Sequence, residues 1–204
     1  MFKRQFGSFF NQRIEYKNLT NRKDYFLDKI KDKQCLHVGC ADWPVYNETS
    51  NLHLFLCSRS STIDGYDPEK TTIKRMIDSK KFPENSLFDI PPDKKYEIIL
   101  APETIEHVLD MQKFFLSLTS FIDKKIEIIV TAPNCFRNGA PYVDTGEVWV
   151  EQVHPDHNCW FSLFTLPNVA KKSYENSEFT LSFKEIGTLE QKSMVFFYGE
   201  IERK

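Results

Sequence analysis

The sequence predicts an α/β protein built on an open, mostly parallel β-sheet with an antiparallel edge. Two observations support this fold class. Short apolar runs alternate with helical patterns through most of the chain, which is typical of parallel strands joined by crossover helices. The chain then ends in two consecutive apolar runs, at 179–186 and 193–201, which are predicted to pair as a hairpin. With 204 residues and 18 phenylalanines, the chain has enough apolar material for one domain with a full core.

The composition narrows the range of partners and compartments. Lys and Arg number 27 against 29 Asp and Glu, so the net charge of −2 gives no argument for a nucleic acid or an anionic membrane as partner. Five cysteines without a C-x-x-C pair argue against a disulfide framework or a zinc ribbon and favour a reducing cytoplasm. We find no apolar leader and no apolar run of about 18 residues, so we expect a protein that is not exported and does not span a membrane.

The first half of the chain alternates predicted strands and helices. Residues 1–33 are expected to form an N-terminal arm and a helix, which Asn21 caps with its side chain. Gly39 ends the first buried strand, and Pro68 ends the second. After the arm and helix, the predicted elements are a strand at 35–39, a helical stretch at 52–56, a strand at 62–67, a helix at 69–79 and a weak strand at 86–89.

The second half contains the most apolar predicted strand, which covers 126–131. A polar stretch at 133–160 contains two glycines and three prolines and is predicted to be a long loop. Ligands of open α/β sheets bind outside the carboxyl ends of the strands, so we expect a site in the segments that follow them. The predicted elements are a strand at 96–101, a helix at 103–121, the strand at 126–131, the loop at 133–160, a helix at 163–175 and the two final strands.

The turn after the first strand is poorly suited to binding a phosphate. A dinucleotide-binding turn needs three glycines, so that the backbone can approach a pyrophosphate. Here only Gly39 is present, Ala41 and Trp43 replace the other two, and Pro44 lacks an N–H donor. Such a turn suits a ligand that approaches the backbone closely without a phosphate, and S-adenosylmethionine is one. The alternative is an ordinary turn from strand to loop.

Acidic residues lie within or at the ends of the second and third strands. An acid at the tip of the second strand can accept hydrogen bonds from both ribose hydroxyls of an adenosyl group. Asp67 is placed for this, and Asp64 is the competing candidate. Asp89 follows the third strand and would contact the adenine edge. Each of these acids could instead be an exposed residue at the start of a helix or loop.

Four segments carry a resemblance to a known family. They cover 36–41, 65–69, 96–107 and 128–134, and read Leu-His-Val-Gly-Cys-Ala, Gly-Tyr-Asp-Pro-Glu, Tyr-Glu-Ile-Ile-Leu-Ala-Pro-Glu-Thr-Ile-Glu-His and Ile-Ile-Val-Thr-Ala-Pro-Asn. In this order and spacing they resemble class I S-adenosylmethionine-dependent methyltransferases over roughly residues 34–187.

The resemblance implies a Rossmann-like sheet of seven strands, mostly parallel with the last strand antiparallel, and helices on both faces. The chain length indicates a single domain over 1–204, and we expect the loop at 133–160 to lie on the side of the methyl acceptor. His37 departs from the family, which usually has an acid here that contacts the methionine amine. The cofactor-binding residues that the resemblance implies are His37, Gly39, Cys40, Ala41, Asp67, Asp89 and Pro102.

A possible metal site follows the fourth strand. On a helix, Glu103, Glu106 and His107 are related by i+3 and i+4 and would share one face. Two carboxylates and an imidazole at the carboxyl end of a strand are typical of a site for a hard metal ion. The alternative is a metal-free helix start, in which the acid only lies near the cofactor.

A second resemblance concerns the segment Val-His-Pro-Asp-His-Asn-Cys-Trp-Phe-Ser at 153–162. It is similar to the loop that completes a magnesium-type site in small-RNA 3′-terminal 2′-O-methyltransferases. The Glu-x-x-Glu-His element also resembles that of ubiquinone-pathway O-methyltransferases. By this likeness the ligands of Mg²⁺ or Mn²⁺ would be Glu103, Glu106, His107 and His157, with His154 as a substitute.

The expected activity is O-methylation of a sugar or another small hydroxyl acceptor, with His157, His107 and Glu106 as catalytic residues. The run from Val153 to Leu166 looks like bacterial methyltransferases encoded with polysaccharide genes, which favours a sugar in surface polysaccharide biosynthesis. Aromatic side chains that could stack on a sugar ring are Tyr142, Trp149 and Trp160. The alternatives left open are an RNA 2′-O-methyltransferase, a small-molecule N-methyltransferase and an inactive partner protein of the same fold.

Overall fold

The computed structural model describes residues 13–42, 47–136, 142–151 and 154–204. Trp43, Pro44 and most of the predicted N-terminal arm lie outside these ranges. The helices are α1 (Arg22–Ile30), α2 (Leu52–Cys57), α3 (Lys70–Asp78), α4 (Met111–Ser117) and α5 (Thr165–Ser173). The strands are β1 (Lys17–Asn18), β2 (Cys35–Val38), β3 (Ile63–Tyr66), β4 (Leu87–Phe88), β5 (Ile98–Pro102), β6 (Lys125–Pro133), β7 (Tyr142–Asp144), β8 (Trp149–Glu151), β9 (Phe179–Leu189) and β10 (Met194–Arg203).

Eight strands form one sheet in the order β1-β9-β10-β6-β5-β2-β3-β4. Strand β10 is antiparallel to both of its neighbours, and the other pairs in this sheet are parallel. This confirms the mostly parallel sheet with an antiparallel last strand. The predicted number of seven strands was wrong, because β1 adds a short parallel edge to β9. Both residues of β1 are exposed, so no apolar alternation indicated a strand there.

Helices cover both faces of the sheet, as predicted. Successive residues of β5 point to opposite faces, because side chains alternate along a strand. Ile98 packs in the apolar cluster that includes Phe26 of α1. Ile99 packs in the other cluster, which includes Phe115 of α4 and Leu166 of α5. The two buried layers hold the sheet rigidly, so the ends of its strands are fixed relative to one another.

The predicted helix at 103–121 is interrupted. Glu103 adopts a left-handed conformation with φ of +46°, which breaks the chain direction directly after β5. A 3₁₀ turn at Ile105–His107 follows, and α4 begins only at Met111, where Asp110 caps it by accepting from Lys113 N. Glu103, Glu106 and His107 therefore do not share the face of one continuous helix.

The other boundaries differ by a few residues from those predicted. The side chain of Asn21 does cap α1, accepting from the N–H groups of Lys23 and Asp24, but the helix ends at Ile30. Strand β6 extends through Pro133, and the predicted loop at 133–160 contains the small antiparallel hairpin β7–β8. In the part of the chain that is described, no helix has the length and apolar character needed to cross a bilayer.

Candidate active site

The turn after β2 is closely packed against the segment after β5. Gly39 has φ of +75°, and its N–H donates to Tyr66 O at 2.9 Å. A Cβ at this position would lie 2.2 Å from Thr104 Oγ1, closer than any side chain could tolerate. Only glycine satisfies both the positive φ and the close approach. The turn therefore brings the ends of β2, β3 and β5 together.

A cleft of about 890 Å³ opens at these strand ends, which is within the size range of small-molecule sites. Asp67 lines it. Its Oδ2 accepts from Ala41 N at 3.2 Å, and its Oδ1 accepts from Glu69 N at 2.9 Å. Burial raises the pKa of Asp67, although these two backbone hydrogen bonds act in the opposite direction. The carboxylate is thus held in a fixed orientation and keeps free lone pairs toward the cleft.

The competing acids are placed differently. Asp64 accepts from Tyr96 Oη at 2.8 Å and from Lys94 Nζ at 2.9 Å, so its carboxylate is already engaged. Pro91, rather than Asp89, lines the large cleft beyond β4. Of the three acids considered from the sequence, the structure places Asp67 in the cleft.

A second cleft of about 250 Å³ adjoins the Gly39 turn. It shares Gly39, Ala41 and Glu103 with the large cleft. Three of the predicted cofactor residues line this small cleft alone, namely His37, Cys40 and Pro102. The predicted cofactor residues other than Asp89 thus line two adjoining spaces at the carboxyl ends of the strands.

His37 belongs to a buried chain of polar groups. Its Nδ1 lies 3.1 Å from Nδ1 of His53, and Nε2 of His53 lies 3.5 Å from Cys57 Sγ. Burial, together with His53 and Arg22 nearby, lowers the pKa of His37 well below its usual value. Burial also lowers the pKa of His53 to about 3. Both imidazoles are therefore neutral near pH 7, unlike the acid that the family usually carries at position 37.

Three histidines meet at the edge of the large cleft. His107 comes from the 3₁₀ turn after β5, whereas His154 and His157 come from the loop before α5. One ring nitrogen from each lies within 4.8 Å of the others. The loop is attached to the turn by Asn158, whose N–H donates to Glu106 O at 2.7 Å and whose Nδ2 donates to His107 O at 2.8 Å. Nδ1 of His157 is buried and finds no partner among the described residues.

The two glutamates of the predicted ligand set lie outside this histidine cluster. Glu103 pairs with Nη1 of Arg22 at 2.5 Å. Glu106 is 1% exposed, and neither of its carboxyl oxygens has a hydrogen-bond partner in the described part of the chain. Burial raises the pKa of Glu106 to about 8. Among the described residues no carboxylate joins the three imidazoles, so the structure brings together His107, His154 and His157.

Two of the lining residues were missed from the sequence. Arg22 follows the N-cap of α1 and belongs to no motif, so nothing in its surroundings indicated a site. His53 lies on α2 and also lines the small cleft. Of the three aromatic candidates, Trp160 lies beside the histidine cluster, with its ring 5.8 Å from that of His157. Trp149 is exposed on β8, and the side chain of Tyr142 lies outside the described residues.

Several proteins of known structure share this architecture. No family model and no curated protein matches the chain. A SAM-dependent methyltransferase from Aquifex aeolicus matches with 11% identity and a TM-score of 0.58, over 88% of this chain and 89% of that chain. The glycopeptide N-methyltransferase MtfA complexed with sinefungin matches with 10% identity and a TM-score of 0.59, over 90% of this chain and 94% of that chain.

A chain in the Pnkp1/Rnl/Hen1 RNA repair complex is also similar, with 13% identity and a TM-score of 0.53. That match covers 89% of this chain but 40% of the other, so this chain spans less than half of that protein. At such identities the likeness concerns the fold. The chain has the fold of class I S-adenosylmethionine-dependent methyltransferases.

Proposed function

We propose that the protein is an S-adenosylmethionine-dependent O-methyltransferase that acts on a hydroxyl of a sugar or another small acceptor. The observation that carries this proposal is the position of the three histidines. His107 lines the same large cleft as Asp67, and His154 and His157 lie against His107. A group that can bind an adenosyl ribose and groups that can accept a proton thus lie on one cleft.

The large cleft fits the adenosyl half of the cofactor. Asp67 would accept hydrogen bonds from the two ribose hydroxyls, since both of its oxygens are oriented by backbone N–H groups. Val108, Phe114 and Leu118 supply an apolar wall on which adenine can lie. The close turn at Gly39 lets the ligand approach the backbone, while offering no set of glycines for a pyrophosphate.

The residues around the acceptor have two tasks, because S-adenosylmethionine supplies a methyl group that is already activated. They must hold the acceptor oxygen in line with the methyl carbon and the sulfur, and they must take up the hydroxyl proton. Burial and the neighbouring imidazoles of His107 and His154 lower the pKa of His157, so its ring is neutral near pH 7 and can accept that proton. Trp160, which is 46% exposed, offers an aromatic face for a sugar ring beside it.

The histidine cluster also fits a divalent metal ion. Three converging imidazole nitrogens suit a first-row transition ion better than Mg²⁺, which prefers oxygen ligands. A metal held by His107, His154 and His157 would lower the pKa of a bound hydroxyl. Nδ1 of His157, which is buried and has no hydrogen-bond partner among the described residues, is available as a ligand atom for such an ion.

The class of methyl acceptor and the cellular compartment are inferred from other observations. The likeness of the sequence from Val153 to Leu166 to methyltransferases encoded with polysaccharide genes favours a sugar hydroxyl in surface polysaccharide biosynthesis. All five cysteines are free thiols, which is consistent with a cytoplasmic protein. RNA 2′-O-methylation is the second candidate, because a chain of an RNA repair complex shares the fold and the histidine loop resembles that of small-RNA methyltransferases.

Transfer of a labelled methyl group from S-adenosylmethionine tests the proposal. The acceptors would be sugars and nucleotide sugars, a short RNA with a 3′-terminal ribose, and small amines. We expect label on a sugar hydroxyl, and we expect His157→Gln to lower the rate by roughly 10²–10⁴-fold while S-adenosylhomocysteine still binds normally. Label on the RNA alone would establish the second candidate, and label on an amine, or none on any acceptor, would contradict O-methylation.

The same assay separates the two uses of the histidine cluster. If a metal is bound, EDTA abolishes transfer and a transition ion such as Mn²⁺ restores it better than Mg²⁺ does. If His157 acts as a general base alone, EDTA has no effect. Full activity in EDTA would show that the reaction needs no metal ion, and the histidines alone would then take up the proton.

A further inference from the structure

Asn158 lies directly after His157 in the loop before α5, and the proposed reaction does not yet use it. Its backbone N–H and its side-chain amide are both directed at the turn that carries His107. We propose that Asn158 is a positioning residue, which holds the imidazoles of His154 and His157 against the imidazole of His107. The inference rests on the proposed function only in treating the histidine cluster as the reactive part of the site. It can be measured without cofactor or methyl acceptor.

The 3₁₀ turn at Ile105–His107 ends with carbonyl groups that need donors. The last carbonyls of a helical turn have no partner within it and must be satisfied from elsewhere. Val108 N–H donates to the first carbonyl of the turn at 3.2 Å. Asn158 supplies a donor for each of the next two: its backbone N–H donates to Glu106 O at 2.7 Å, and its Nδ2 donates to His107 O at 2.8 Å.

An asparagine can make both contacts at once, because it carries N–H donors on its backbone and on its side chain, whereas the side chain of an ionised aspartate only accepts. Asn158 thus binds two consecutive carbonyls, those of Glu106 and His107. A contact at two points sets an orientation as well as a distance. Because His157 directly precedes Asn158, this contact determines how the rings of His107 and His157 face each other.

The three rings lie close together beside this contact. The ring centroids are 4.8 Å apart for His107 and His157, 5.6 Å for His107 and His154, and 4.7 Å for His154 and His157. His154 is tied to the position of His157, because the N–H of His157 donates to His154 O at 3.1 Å and closes a tight turn. Asn158 therefore places two imidazoles against the third through one attachment.

A second attachment holds the rest of the loop. Asn134, directly after β6, pairs with Phe161 in an isolated bridge, and Cys135 N–H donates to Phe161 O at 2.8 Å. Phe161 is buried in the apolar cluster that includes Phe115. The loop would thus keep its path without the amide of Asn158. Loss of that amide should loosen the imidazoles without unfolding the protein.

Titration with Co²⁺ alone, followed by visible absorption, tests the inference. Imidazole nitrogens are suitable ligands for first-row transition ions, and the visible bands of Co²⁺ report the number and geometry of its ligands. We expect the full chain, without an affinity tag, to bind one Co²⁺ with a defined spectrum. His157→Gln should abolish that spectrum, which would assign the ion to the histidine cluster.

Asn158→Leu removes the amide N–H groups at similar size and adds no charge. We expect it to weaken Co²⁺ binding by roughly ten- to a hundredfold, the usual effect of losing a group that orients a metal ligand, and to change the visible bands. Asn158→Gln keeps an amide donor and should recover part of the affinity. The midpoint of thermal unfolding should change little in both variants, because the attachment at Phe161 remains.

Asn47→Leu is the matched control. Asn47 is also an exposed asparagine that organises a loop, and its Oδ1 accepts from the N–H groups of Thr49 and Ser50 at 3.1 and 3.0 Å. Because these contacts lie within its own loop, we expect lower thermal stability with unchanged Co²⁺ affinity and spectrum. An equal loss of affinity in Asn47→Leu and Asn158→Leu would indicate a general effect of loosened loops and would overturn the inference.

The outcomes separate this inference from the proposed function. Equal Co²⁺ affinity and spectrum in the wild type and in Asn158→Leu would overturn the positioning role. If the wild type binds no Co²⁺ that His157→Gln removes, the imidazoles do not converge as inferred and the positioning role fails, whereas methyl transfer to a hydroxyl can still be observed. If Asn158→Leu behaves as expected but no acceptor is methylated, the positioning role stands and O-methylation is contradicted.

Discussion

Asp67 owes its orientation to two backbone N–H groups, those of Ala41 and Glu69, which bind its two carboxylate oxygens. Removing the side chain by Asp67→Ala should weaken binding of S-adenosylhomocysteine by roughly ten- to a hundredfold, because two hydrogen bonds to an ionised acceptor are lost. Isothermal titration calorimetry measures this directly.

Asp64→Ala is the matched control for this substitution. Asp64 lies on β3, the strand that Asp67 directly follows, but its carboxylate accepts hydrogen bonds from Tyr96 and Lys94. We therefore expect lower thermal stability and an unchanged affinity. If Asp64→Ala weakens the ligand while Asp67→Ala does not, the ribose assignment is wrong.

Single residues of the site differed in how well the sequence could predict them. Asp67 could be predicted from the sequence, because an acid at the tip of a strand beside a glycine turn is a local pattern. His107 and His157 could be predicted from their sequence motifs, although only the folded chain shows that His154 joins them. Arg22 could not be predicted, because its partner Glu103 is distant in the sequence and meets it only after α1 has packed on the sheet.

At the scale of elements, the turn after β2 depends on the absence of a side chain at Gly39. Gly39→Ala must adopt a positive φ and must also displace Thr104, whose Oγ1 would lie 2.2 Å from the new Cβ. Gly146→Ala is a matched control, because Gly146 has φ of +83° and no heavy atom within 4 Å of the added Cβ.

Both glycine variants carry the cost of the left-handed conformation, about 1–2 kcal/mol. Gly39→Ala should lose about 1–3 kcal/mol more from overpacking, and its affinity for S-adenosylhomocysteine should fall. Adding Thr104→Ala should recover part of the lost stability, because the nearest clashing atoms are then removed. Denaturant unfolding measures the difference, and equal losses for the two single variants would contradict the close approach.

The strands β6, β9 and β10 are joined by a charged network around Glu127. Lys33 and Lys184 pair with its carboxylate, and Tyr198 Oη donates to it at 2.6 Å. Burial alone would raise the pKa of Glu127, but these hydrogen bonds lower it to about 2, from an ordinary value of 4.5. A carboxyl group whose pKa is lower in the folded state stabilises the fold at pH values above its unfolded pKa. This contribution should therefore be lost as the pH falls from about 4.5 toward 2.

Glu127→Gln should therefore lower the free energy of unfolding at pH 7 by about 1–2 kcal/mol, a figure reduced for solvent screening of the partly exposed charges. The difference from wild type should shrink in acid. Glu178→Gln is the control, because its pair with Arg203 is exposed and 3.7 Å long, and we expect little effect. A difference between Glu127→Gln and wild type that does not change with pH would contradict the network.

Elements were predictable where burial fixes the sequence pattern. The seven strands of the sheet other than β1 coincide with predicted strands, since core-facing positions must be apolar in a sheet covered on both faces. The break in the predicted helix after β5 could not be predicted, because no local propensity indicates the left-handed conformation of Glu103. Helix α4 begins only at a new cap, Asp110. The short strand β1 depends on pairing with β9, not on its own residues.

At the scale of the whole molecule, two buried layers fix the strand ends, and the site is assembled from segments that follow β2, β3, β5 and β8. The central claim is that this site binds S-adenosylmethionine through close backbone approach at Gly39, without a phosphate cradle. Both features can be examined in one pair of titrations on the unmodified protein.

The most direct measurement is calorimetric titration of the wild-type protein with S-adenosylhomocysteine and, separately, with NAD⁺. Both ligands carry an adenosine ribose, but only NAD⁺ needs a pyrophosphate site, which a turn with a single glycine does not provide. We expect saturable binding of one S-adenosylhomocysteine per chain and no measurable binding of NAD⁺ at the same concentrations. Binding of NAD⁺ with equal or higher affinity, or the absence of any heat with S-adenosylhomocysteine, would contradict the account.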